Sequence, residues 1–445
     1  MPRSTRAPLP DGYRFQQLAP GDLRDVVTLD AWAFPTGKDL DALASEPSPL
    51  SWDRVVGVVN ESDDPDAVPA DGAVPVRSEL VAMHASYPFA RFPVPGGTVP
   101  VSGLTWVGVH PAHRRRGILS AMIDEHFRRS LQRREPVSAL FAAEPAIYGR
   151  FGYGKAADDL RVTIPRKAAL RDVPGASDHT VRIETSDYER HAALVEDLHE
   201  RAGADVGGSG LNRPGWVGRE TPELQRYFWA DTPLRRDGRE PERIVIVERD
   251  GEPRGYTTFR RKLDWELQGP RGRVSGGEVV ALDAAAARAL WDVLLDLDLT
   301  DDVHPFMIPT DDVVAQWLVD RRKATPTLFD NLWVRVLDVP SALAARQYAA
   351  DVDVVLGVHD ARLAGNSGSW RLRATAFSGG AEVVRTDEPA DVTLDVRELG
   401  AAYLGGETLV AMASAGLVAG HRPGALARAS AAFAWPVAPC SSWVF

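Results

Sequence analysis

The sequence predicts a multidomain protein of mixed α/β and α+β class, in which two units with mixed sheets precede a smaller α+β module. Its 445 residues are enough for two to four domains. Strand-like and helix-like segments alternate through residues 13–165 and again through 180–335. After Val339-Pro340, four alternating strands are followed by three alanine-rich helices. Together these patterns predict three structural units.

Composition excludes several classes of protein. A hydrophobic content of 44% and a charged content of 25% are typical of soluble globular proteins. The apolar runs are too short for a membrane span, and the N-terminus lacks the apolar core of a secretory signal. Cys440 is the single cysteine, so we expect a reducing, cytoplasmic location. The net charge of −11 argues against a nucleic-acid partner.

The first unit contains a strand, an arginine–glycine turn and a helix in direct succession, within "VGVHPAHRRRGILSAMIDEHF" at residues 107–127. Gly108 lies in the strand and suggests a bulge or a close backbone approach. After Gly117 the apolar residues recur at helical spacing. Three arginines at a helix start oppose the helix dipole, which favours negative charge there. A bound anion would resolve the conflict, because the first N–H groups of a helix lack partners.

Other segments fill out this first unit. "LRDVVTLDAWAF" predicts an early helix, and "ELVAMHASYPFARFPV" with "TVPVSGLTWVGV" predicts a strand pair. "PVSALFAAE" predicts a further strand, followed by a turn and a short helix through "PAIYGRFGYG". The acidic, proline-rich stretch at residues 60–75 predicts a solvated loop.

The second unit also alternates strands and helices, but its sequence shows no second phosphate-binding turn. "RIVIVERDGEPRGYTTFRRKL" predicts a hairpin with Asp250-Gly251 at its turn. "LDAAAARALWDVLLDLDL" predicts a helix with Asp283 as its N-cap, and no arginine–glycine turn precedes it. The glycine-rich residues 207–214 predict a loop.

These motifs resemble a known family. "VGVHPAHRRRGIL" is similar to the acetyl-CoA motif of GNAT acetyltransferases, Arg/Gln-x-x-Gly-x-Gly/Ala, with Leu119 at the last small position. With "IYGRFGYG" downstream and a C-terminal region that resembles sterol carrier proteins, the chain resembles the Eis (enhanced intracellular survival) family over nearly its whole length. The resemblance implies two GNAT-like mixed-sheet domains, at residues 1–165 and 166–336, of which only the first binds acetyl-CoA. It implies a sterol-carrier-protein-like α+β domain at residues 337–445.

The resemblance also implies an acetyl-CoA site. Backbone groups of the strand would hold the pantetheine amides, and the turn would neutralise the diphosphate. The family often has serine where Ala143 stands, so one side-chain hydrogen bond is expected to be missing. No metal is expected, because the histidines have no metal-binding spacing. The expected cosubstrate-binding residues are Val107, Gly108, Val109, Arg114, Arg115, Arg116, Gly117, Ile118, Leu119, Ser120, Ala143, Glu144 and Arg150.

The resemblance implies two catalytic groups. Tyr148 would be the general acid that protonates the CoA thiolate, although the residues alone do not separate it from Tyr153. The strand "GLTWVGV" carries no carboxylate that could be the base. The family uses its terminal carboxylate, which here would belong to Phe445. Burial of the apolar end Trp443-Val444-Phe445 would carry that carboxylate inwards.

The predicted function is acetyl-CoA-dependent N-acetylation of a cationic small-molecule amine, such as an aminoglycoside or a polyamine. Phe34, Trp52 and Trp106 are expected either to line its pocket or to pack in the core. The alternatives are a protein lysine acetyltransferase and a non-catalytic protein that binds acyl-CoA or a lipid. The resemblance further implies a homohexamer.

Overall fold

The computed structural model describes residues 8–60 and 79–445. Except for Asn60, the predicted acidic loop at 60–75 lies outside the described residues, as do residues 1–7. Up to residue 165, the helices are α1 (Leu23–Ala33), α2 (Leu40–Ala44), α3 (Ile118–Gln132) and α4 (Pro145–Tyr148). The strands of this part are β1 (Tyr13–Gln17), β2 (Val56–Asn60), β3 (Leu80–Val94), β4 (Gly97–Val109), β5 (Val137–Leu140), β6 (Gly154–Lys155), β7 (Asp158–Arg161) and β8 (Ile164–Pro165).

Residues 166–336 form the next set of elements. The helices are α5 (Tyr188–Ala204), α6 (Pro222–Trp229), α7 (Pro233–Arg236), α8 (Ala284–Asp296) and α9 (Val313–Trp317). The strands are β9 (Thr180–Thr185), β10 (Arg243–Arg249), β11 (Glu252–Lys262), β12 (Trp265–Glu266), β13 (Gly269–Pro270), β14 (Gly272–Ala281), β15 (Thr300–His304), β16 (Ile308–Pro309), β17 (Thr327–Asp330) and β18 (Trp333–Val336).

Residues 337–445 contain the remaining elements. The helices are α10 (Val339–Ala344), α11 (Val396–Ala402), α12 (Leu409–Ser414) and α13 (Ala425–Phe433). The strands are β19 (Val352–His359), β20 (Gly368–Ala374), β21 (Glu382–Thr386), β22 (Val392–Asp395) and β23 (Val418–Gly420).

The first sheet joins distant parts of the chain. Within residues 8–60 and 79–445 its order is β1-β2-β3-β4-β5-β18-β6. β4 and β5 pair in parallel only over Val101–Gly103 and Val137–Ala139. Beyond Gly103, β4 continues to Val109 without this partner, so the sheet opens into a wedge between the two strands. β18, from the end of the predicted second unit, inserts between β5 and β6 and is buried along its length.

The described residues contain two further sheets of five or more strands. The second has the order β8-β15-β14-β11-β10-β9 and the third β21-β20-β19-β22-β23. The predicted hairpin is confirmed, because Asp250 and Gly251 both take the positive φ that a tight two-residue turn needs. The predicted N-cap is confirmed too, since the Asp283 carboxylate accepts the Ala286 N–H at 2.9 Å.

The third sheet and its helices dock directly on the first sheet. Hydrophobic residues from both form one continuous core cluster, which includes Phe89, Val334, Leu399 and Phe433. The close approach of α11 needs a glycine on β6, because a Cβ on Gly154 would overlap the Arg397 carbonyl oxygen. Across residues 8–60 and 79–445, no helix combines the length and apolar character that crossing a membrane requires.

Candidate active site

A first cavity of about 570 Å³ opens between the outer half of β4, the N-terminal end of α3 and the segment that follows β5. It collects most of the residues predicted to bind the cosubstrate. Those that line it are Val107, Gly108, Val109, Arg114, Arg115, Gly117, Ile118, Leu119, Ser120, Ala143, Glu144 and Arg150, with Tyr148 and Phe34.

The strand wall of this cavity is bulged. The register of β3 against β4 shifts between Met83 and Ala85, and Trp106 takes a φ of +52°. A bulge leaves backbone groups outside the ladder and turns them outwards. The bulge predicted at Gly108 therefore lies at Trp106–Val107, whereas Gly108 itself is the site of a close approach. A Cβ there would be 3.0 Å from the Cβ of Ala33 on α1.

The arginine–glycine turn presents only two of its three arginines to the first cavity. Arg115 has a φ of +62° and Gly117 a φ of +86°, so the backbone reverses twice before α3 begins. Arg114 and Arg115 line the cavity, but Arg116 does not. Its guanidinium instead donates to the Tyr13 hydroxyl at 2.8 Å and to the Ala112 carbonyl at 3.2 Å. The structure therefore does not bring the Arg116 side chain together with the other predicted cosubstrate residues, because it turns back onto β1.

Gly117 leaves open space at the start of α3. An added Cβ would meet no described protein atom within 4 Å, so the glycine is required by its positive φ and not by crowding within the protein. The helix has no side-chain cap at this end. Its first N–H groups are thus left available to an anion, which the helix dipole favours.

The structure separates the two candidate tyrosines. Tyr148 ends α4 and lines the first cavity, and burial raises the pKa of its phenol to about 12. Tyr153 is fully buried, and its hydroxyl is hydrogen-bonded to Ser138 at 2.8 Å. Burial also holds the pKa of Tyr153 above its ordinary value. Only Tyr148 can meet a molecule in the first cavity.

A second cavity, of about 630 Å³, lies on the other side of the bulge. Trp106 lines this cavity while its neighbour Val107 lines the first. Nine of its 25 lining residues are acidic or aromatic, and three are basic, namely Lys38, Arg235 and Arg260. The acidic and aromatic residues are Asp30, Glu46, Glu242 and Glu278, with Trp106, Tyr227, Phe228, Phe306 and Trp443.

Among these carboxylates, Asp30 is the one without an ion-pair partner in the described part of the chain. Glu46 pairs with Arg235, Glu242 with Arg260, and Glu278 with Arg219. Burial raises the pKa of Asp30 to about 6. A cationic group in the second cavity would stabilise the ionised form of this carboxylate.

Two aromatic residues predicted for the substrate pocket lie elsewhere. Phe34 lines the first cavity rather than the second. Trp52 lines neither of them and packs, half-buried, against the same apolar cluster as Trp106. This is the packing alternative considered for Trp52.

Cys440, Ser441, Ser442 and Trp443 are held by a row of hydrogen bonds. The Cys440 N–H donates to the Pro214 carbonyl at 2.9 Å, and the Ser441 N–H donates to the Asn331 side chain at 2.9 Å. The Ser442 hydroxyl donates to Glu278 at 2.7 Å, and the Trp443 indole donates to the Val217 carbonyl at 2.7 Å. These bonds anchor the segment to residues of the loop at 214–217, to Asn331 and to β14.

Phe445 occupies the wedge of the first sheet. Its side chain is buried, with ring centroids 4.8 Å from Phe89 and 5.2 Å from Phe141. A Cβ on Gly103, the last paired residue of β4, would lie 3.3 Å from the Phe445 ring. Val444, just before it, lines the second cavity. Phe445 itself is not among the residues that line either cavity.

Several lining residues were not predicted from the sequence. Asp30, Glu242 and Glu278 reach the second cavity from different elements, and Arg362 reaches the first from the third unit. The position of Asp30 within α1 gives no local sign that it reaches a cavity. For the others no local pattern exists, since only the tertiary fold brings them to the cavities.

Comparison with protein families gives matches along most of the chain. Models of an acetyltransferase (GNAT) domain match residues 14–156 and 215–336. A model of a sterol carrier protein domain matches residues 339–442.

Individual relatives agree with these matches. An uncharacterized N-acetyltransferase of Streptomyces avermitilis is 42% identical over 350 residues, which cover 78% of this chain and 83% of the relative. The N-acetyltransferase Eis of Mycobacterium tuberculosis is 35% identical over 385 residues, which cover 82% of this chain and 88% of the relative. The crystal structure of Eis1 from Mycobacterium abscessus superposes with a TM-score of 0.77 at 28% identity, covering 97% of this chain and 100% of that one.

Proposed function

Because the chain belongs to the Eis family of GNAT N-acetyltransferases, we propose that it transfers acetyl from acetyl-CoA to an amine of a cationic small molecule. One observation carries the proposal. A cavity with an arginine–glycine turn and a cavity with acidic and aromatic walls meet at a single bulge, Trp106–Val107. A cosubstrate and an amine bound on the two sides would have their reacting groups at this bulge.

The residues of the first cavity fit acetyl-CoA, which supplies the acetyl thioester. Arg114 and Arg115 provide charge for phosphate groups, and the open start of α3 provides N–H donors. The space beside Gly117 leaves room for a phosphate against the backbone. The bulged backbone of Val107 to Val109 offers hydrogen-bonding groups to an extended arm.

Tyr148 is the proposed general acid. Its pKa of about 12 keeps the proton on the phenol oxygen throughout the neutral range. It can donate this proton to the sulfur that departs when the amine nitrogen bonds to the acetyl carbon. Arg150, two residues further on, lines the same cavity and is proposed to bind the cosubstrate.

The α-carboxylate of Phe445 is the proposed base. The anchored segment brings residue 445 to the wedge beside β4, and β4 itself has no carboxylate along its whole length. The carboxylate would take a proton from the substrate ammonium, directly or through water, which frees the amine nitrogen to attack the acetyl carbon. The proposal requires residue 445 to carry a free α-carboxyl group, which mass spectrometry of the purified protein can verify.

The second cavity supports a cationic acceptor. Trp106 offers an aromatic ring that attracts ammonium groups, and Asp30, which has no ion-pair partner in the described residues, offers a carboxylate. The Tyr227 ring already has the Arg235 guanidinium over it, 4.0 Å from its centre. A substrate with two or more amines could place one ammonium at Asp30 while another, deprotonated, attacks. This arrangement favours aminoglycoside-like or polyamine-like molecules.

A panel of amines assayed for CoA release tests the proposed acceptor class. It should include diamines, polyamines, aminoglycosides, monoamines of equal length and a lysine peptide. We expect the multiply charged small molecules to have a kcat/KM at least about tenfold above the monoamines, the value of one added charged contact. A preference for the lysine peptide would favour the alternative of protein acetylation.

The proposal extends to the organisation of the protein. We retain the division at residues 1–165, 166–336 and 337–445 as a proposal, with β18 crossing from the second unit into the first sheet. The homohexamer also remains a proposal, which light scattering of the purified protein can test. A non-catalytic function is not retained, because the chain belongs to a family of acetyltransferases.

A further inference from the structure

Arg362 brings a charge from the third unit into the first cavity. It lies in the loop between β19 and β20. Every other described residue that lines this cavity falls between Ala33 and Phe151. The third unit therefore contributes one cationic side chain to a site that otherwise belongs to the first sheet and its helices.

The guanidinium of Arg362 is held against the start of α3. It donates to the Asp124 carboxylate at 2.6 Å and to the Ser120 hydroxyl at 2.9 Å. Its central carbon also lies 4.6 Å from the centre of the Phe151 ring. These contacts fix the side chain on both sides of the cavity, at α3 and at the segment that carries Tyr148.

The loop that carries Arg362 is fixed to the first sheet by a buried ion pair. Arg335 on β18 donates twice to Asp360, at 2.8 and 2.7 Å, and both side chains are almost fully buried. The same carboxylate accepts the backbone N–H groups of Arg362 and Leu363 at 3.0 Å each. The position of the guanidinium is thus set by the fold and does not depend on a flexible surface loop.

The charge of the cavity exceeds what Asp124 can neutralise. Arg114, Arg115, Arg150 and Arg362 line it in the described structure, against the single carboxylate of Glu144. A guanidinium has five N–H donors, and the bonds to Asp124 and Ser120 use two of those on Arg362. The remaining donors can bind a phosphate oxygen while the pair with Asp124 stays intact.

From this geometry we infer that Arg362 is a cosubstrate-binding residue, which contacts a phosphate of acetyl-CoA from the third unit. The inference rests on the proposed acetyl-CoA site. CoA carries phosphate groups at two places, the diphosphate and the 3′-phosphate, and both present oxygen atoms that a guanidinium binds. The consequence is that the third unit takes a direct part in binding acetyl-CoA, in addition to carrying the C-terminal segment.

Calorimetry on three single variants tests this. We expect Arg362→Gln to weaken acetyl-CoA binding by about tenfold or more, which is the usual value of a hydrogen bond to a charged group. Arg371→Gln is the matched control, because Arg371 is an equally exposed arginine of the third unit, 25% against 24%, that pairs with Asp353 outside the cavity. Asp124→Asn weakens the contact that holds Arg362 but keeps the guanidinium, so we expect a smaller loss of affinity than in Arg362→Gln.

A second ligand, acetyl-dephospho-CoA, distinguishes the two phosphates. If Arg362 binds the 3′-phosphate, Arg362→Gln weakens only acetyl-CoA; if it binds the diphosphate, both ligands weaken. The inference is overturned if Arg362→Gln binds both ligands as wild type does, or if Asp124→Asn loses as much affinity as Arg362→Gln. A double variant Arg115→Gln, Gly117→Ala separates this failure from that of the proposed site: if it too retains affinity, the cosubstrate binds elsewhere.

Discussion

The rings of Phe445 and Phe141 meet edge to face, with centroids 5.2 Å apart and planes at 89°. Phe141 follows the last residue of β5, and Gly103, which also lies next to the Phe445 ring, is where β4 leaves β5. The end of the chain is thus inserted into the opening of the first sheet. This contact packs the C-terminal segment against β4, whose outer residues Val107 to Val109 line the first cavity, although Phe445 itself does not.

Replacing Tyr148 by Phe should lower kcat by about 10²–10⁴-fold, because a general acid typically contributes that much. The Kd for acetyl-CoA should stay close to wild type, since the ring and its packing are kept. Tyr153→Phe is the matched control: it loses one buried hydrogen bond to Ser138 and so about 1 kcal/mol of unfolding free energy, but keeps its kcat. Equal kcat for Tyr148→Phe and wild type would make Tyr148 a structural residue.

Titration calorimetry should show that each chain binds acetyl-CoA at one site. The double variant Arg115→Gln, Gly117→Ala should lose this binding. The first change removes a charge from the cavity, and the second puts a methyl group where φ is +86° and no protein atom stands. Arg116→Gln is the control, because Arg116 bonds to Tyr13 and Ala112 instead. Two equivalent sites in the wild type, or tight binding by the double variant, would contradict the proposed site.

Asp30→Asn should stabilise the protein at pH 8 and raise its KM for multiply charged amines. Burial raises the pKa of Asp30 to about 6, so the folded state holds this proton more tightly than the unfolded chain does. The stability that this proton confers is present at low pH and is lost as the pH rises through about 4 to 6. Removing the carboxylate should therefore raise the free energy of unfolding by about 1–3 kcal/mol at pH 8 and by almost nothing at pH 3.

The same variant has a kinetic signature. In the wild type, KM for a multiply charged amine should fall as the pH rises through about 6, because Asp30 becomes ionised and can bind an ammonium group. In Asp30→Asn that pH-dependence should disappear, with KM high throughout. An unchanged KM profile would remove Asp30 from the proposed acceptor site.

Gly103→Ala should displace the end of the chain without touching the first cavity. An added Cβ would overlap the Phe89 ring and lie 3.3 Å from the Phe445 ring. Overpacking of this kind costs about 1–3 kcal/mol, and here it pushes on Phe445. We expect a lower kcat with an unchanged Kd for acetyl-CoA. Gly21→Ala, where the new Cβ meets nothing within 4 Å, should change neither, and an unaffected kcat in Gly103→Ala would speak against the importance of this contact.

The local features of the site could be predicted from the sequence. The turn at Arg114–Gly117, the start of α3 and the short helix that carries Tyr148 depend on glycine conformation and on helical periodicity within a few residues. The hairpin at Asp250-Gly251 and the N-cap Asp283 depend on equally local chemistry.

The long-range features could not be predicted. Arg116 turns away because the positive φ at Arg115 reverses the backbone, which the run of three arginines does not indicate. β18 joins the first sheet, and Arg362 reaches the first cavity, only because distant segments pair in the folded chain. The separation of Tyr148 from Tyr153 likewise depends on burial, and burial is not visible from two tyrosines five residues apart.

The central claim is that the α-carboxylate of Phe445 is the base. It is tested most directly by adding a few residues, such as Gly-Ser-Gly, after Phe445 and comparing kcat/KM for the best amine with that of a protein extended at its N-terminus instead. We predict that the C-terminal extension lowers kcat/KM by about 10²-fold or more, while the Kd for acetyl-CoA stays within about threefold. A C-terminally extended protein with unchanged kcat/KM would contradict the claim.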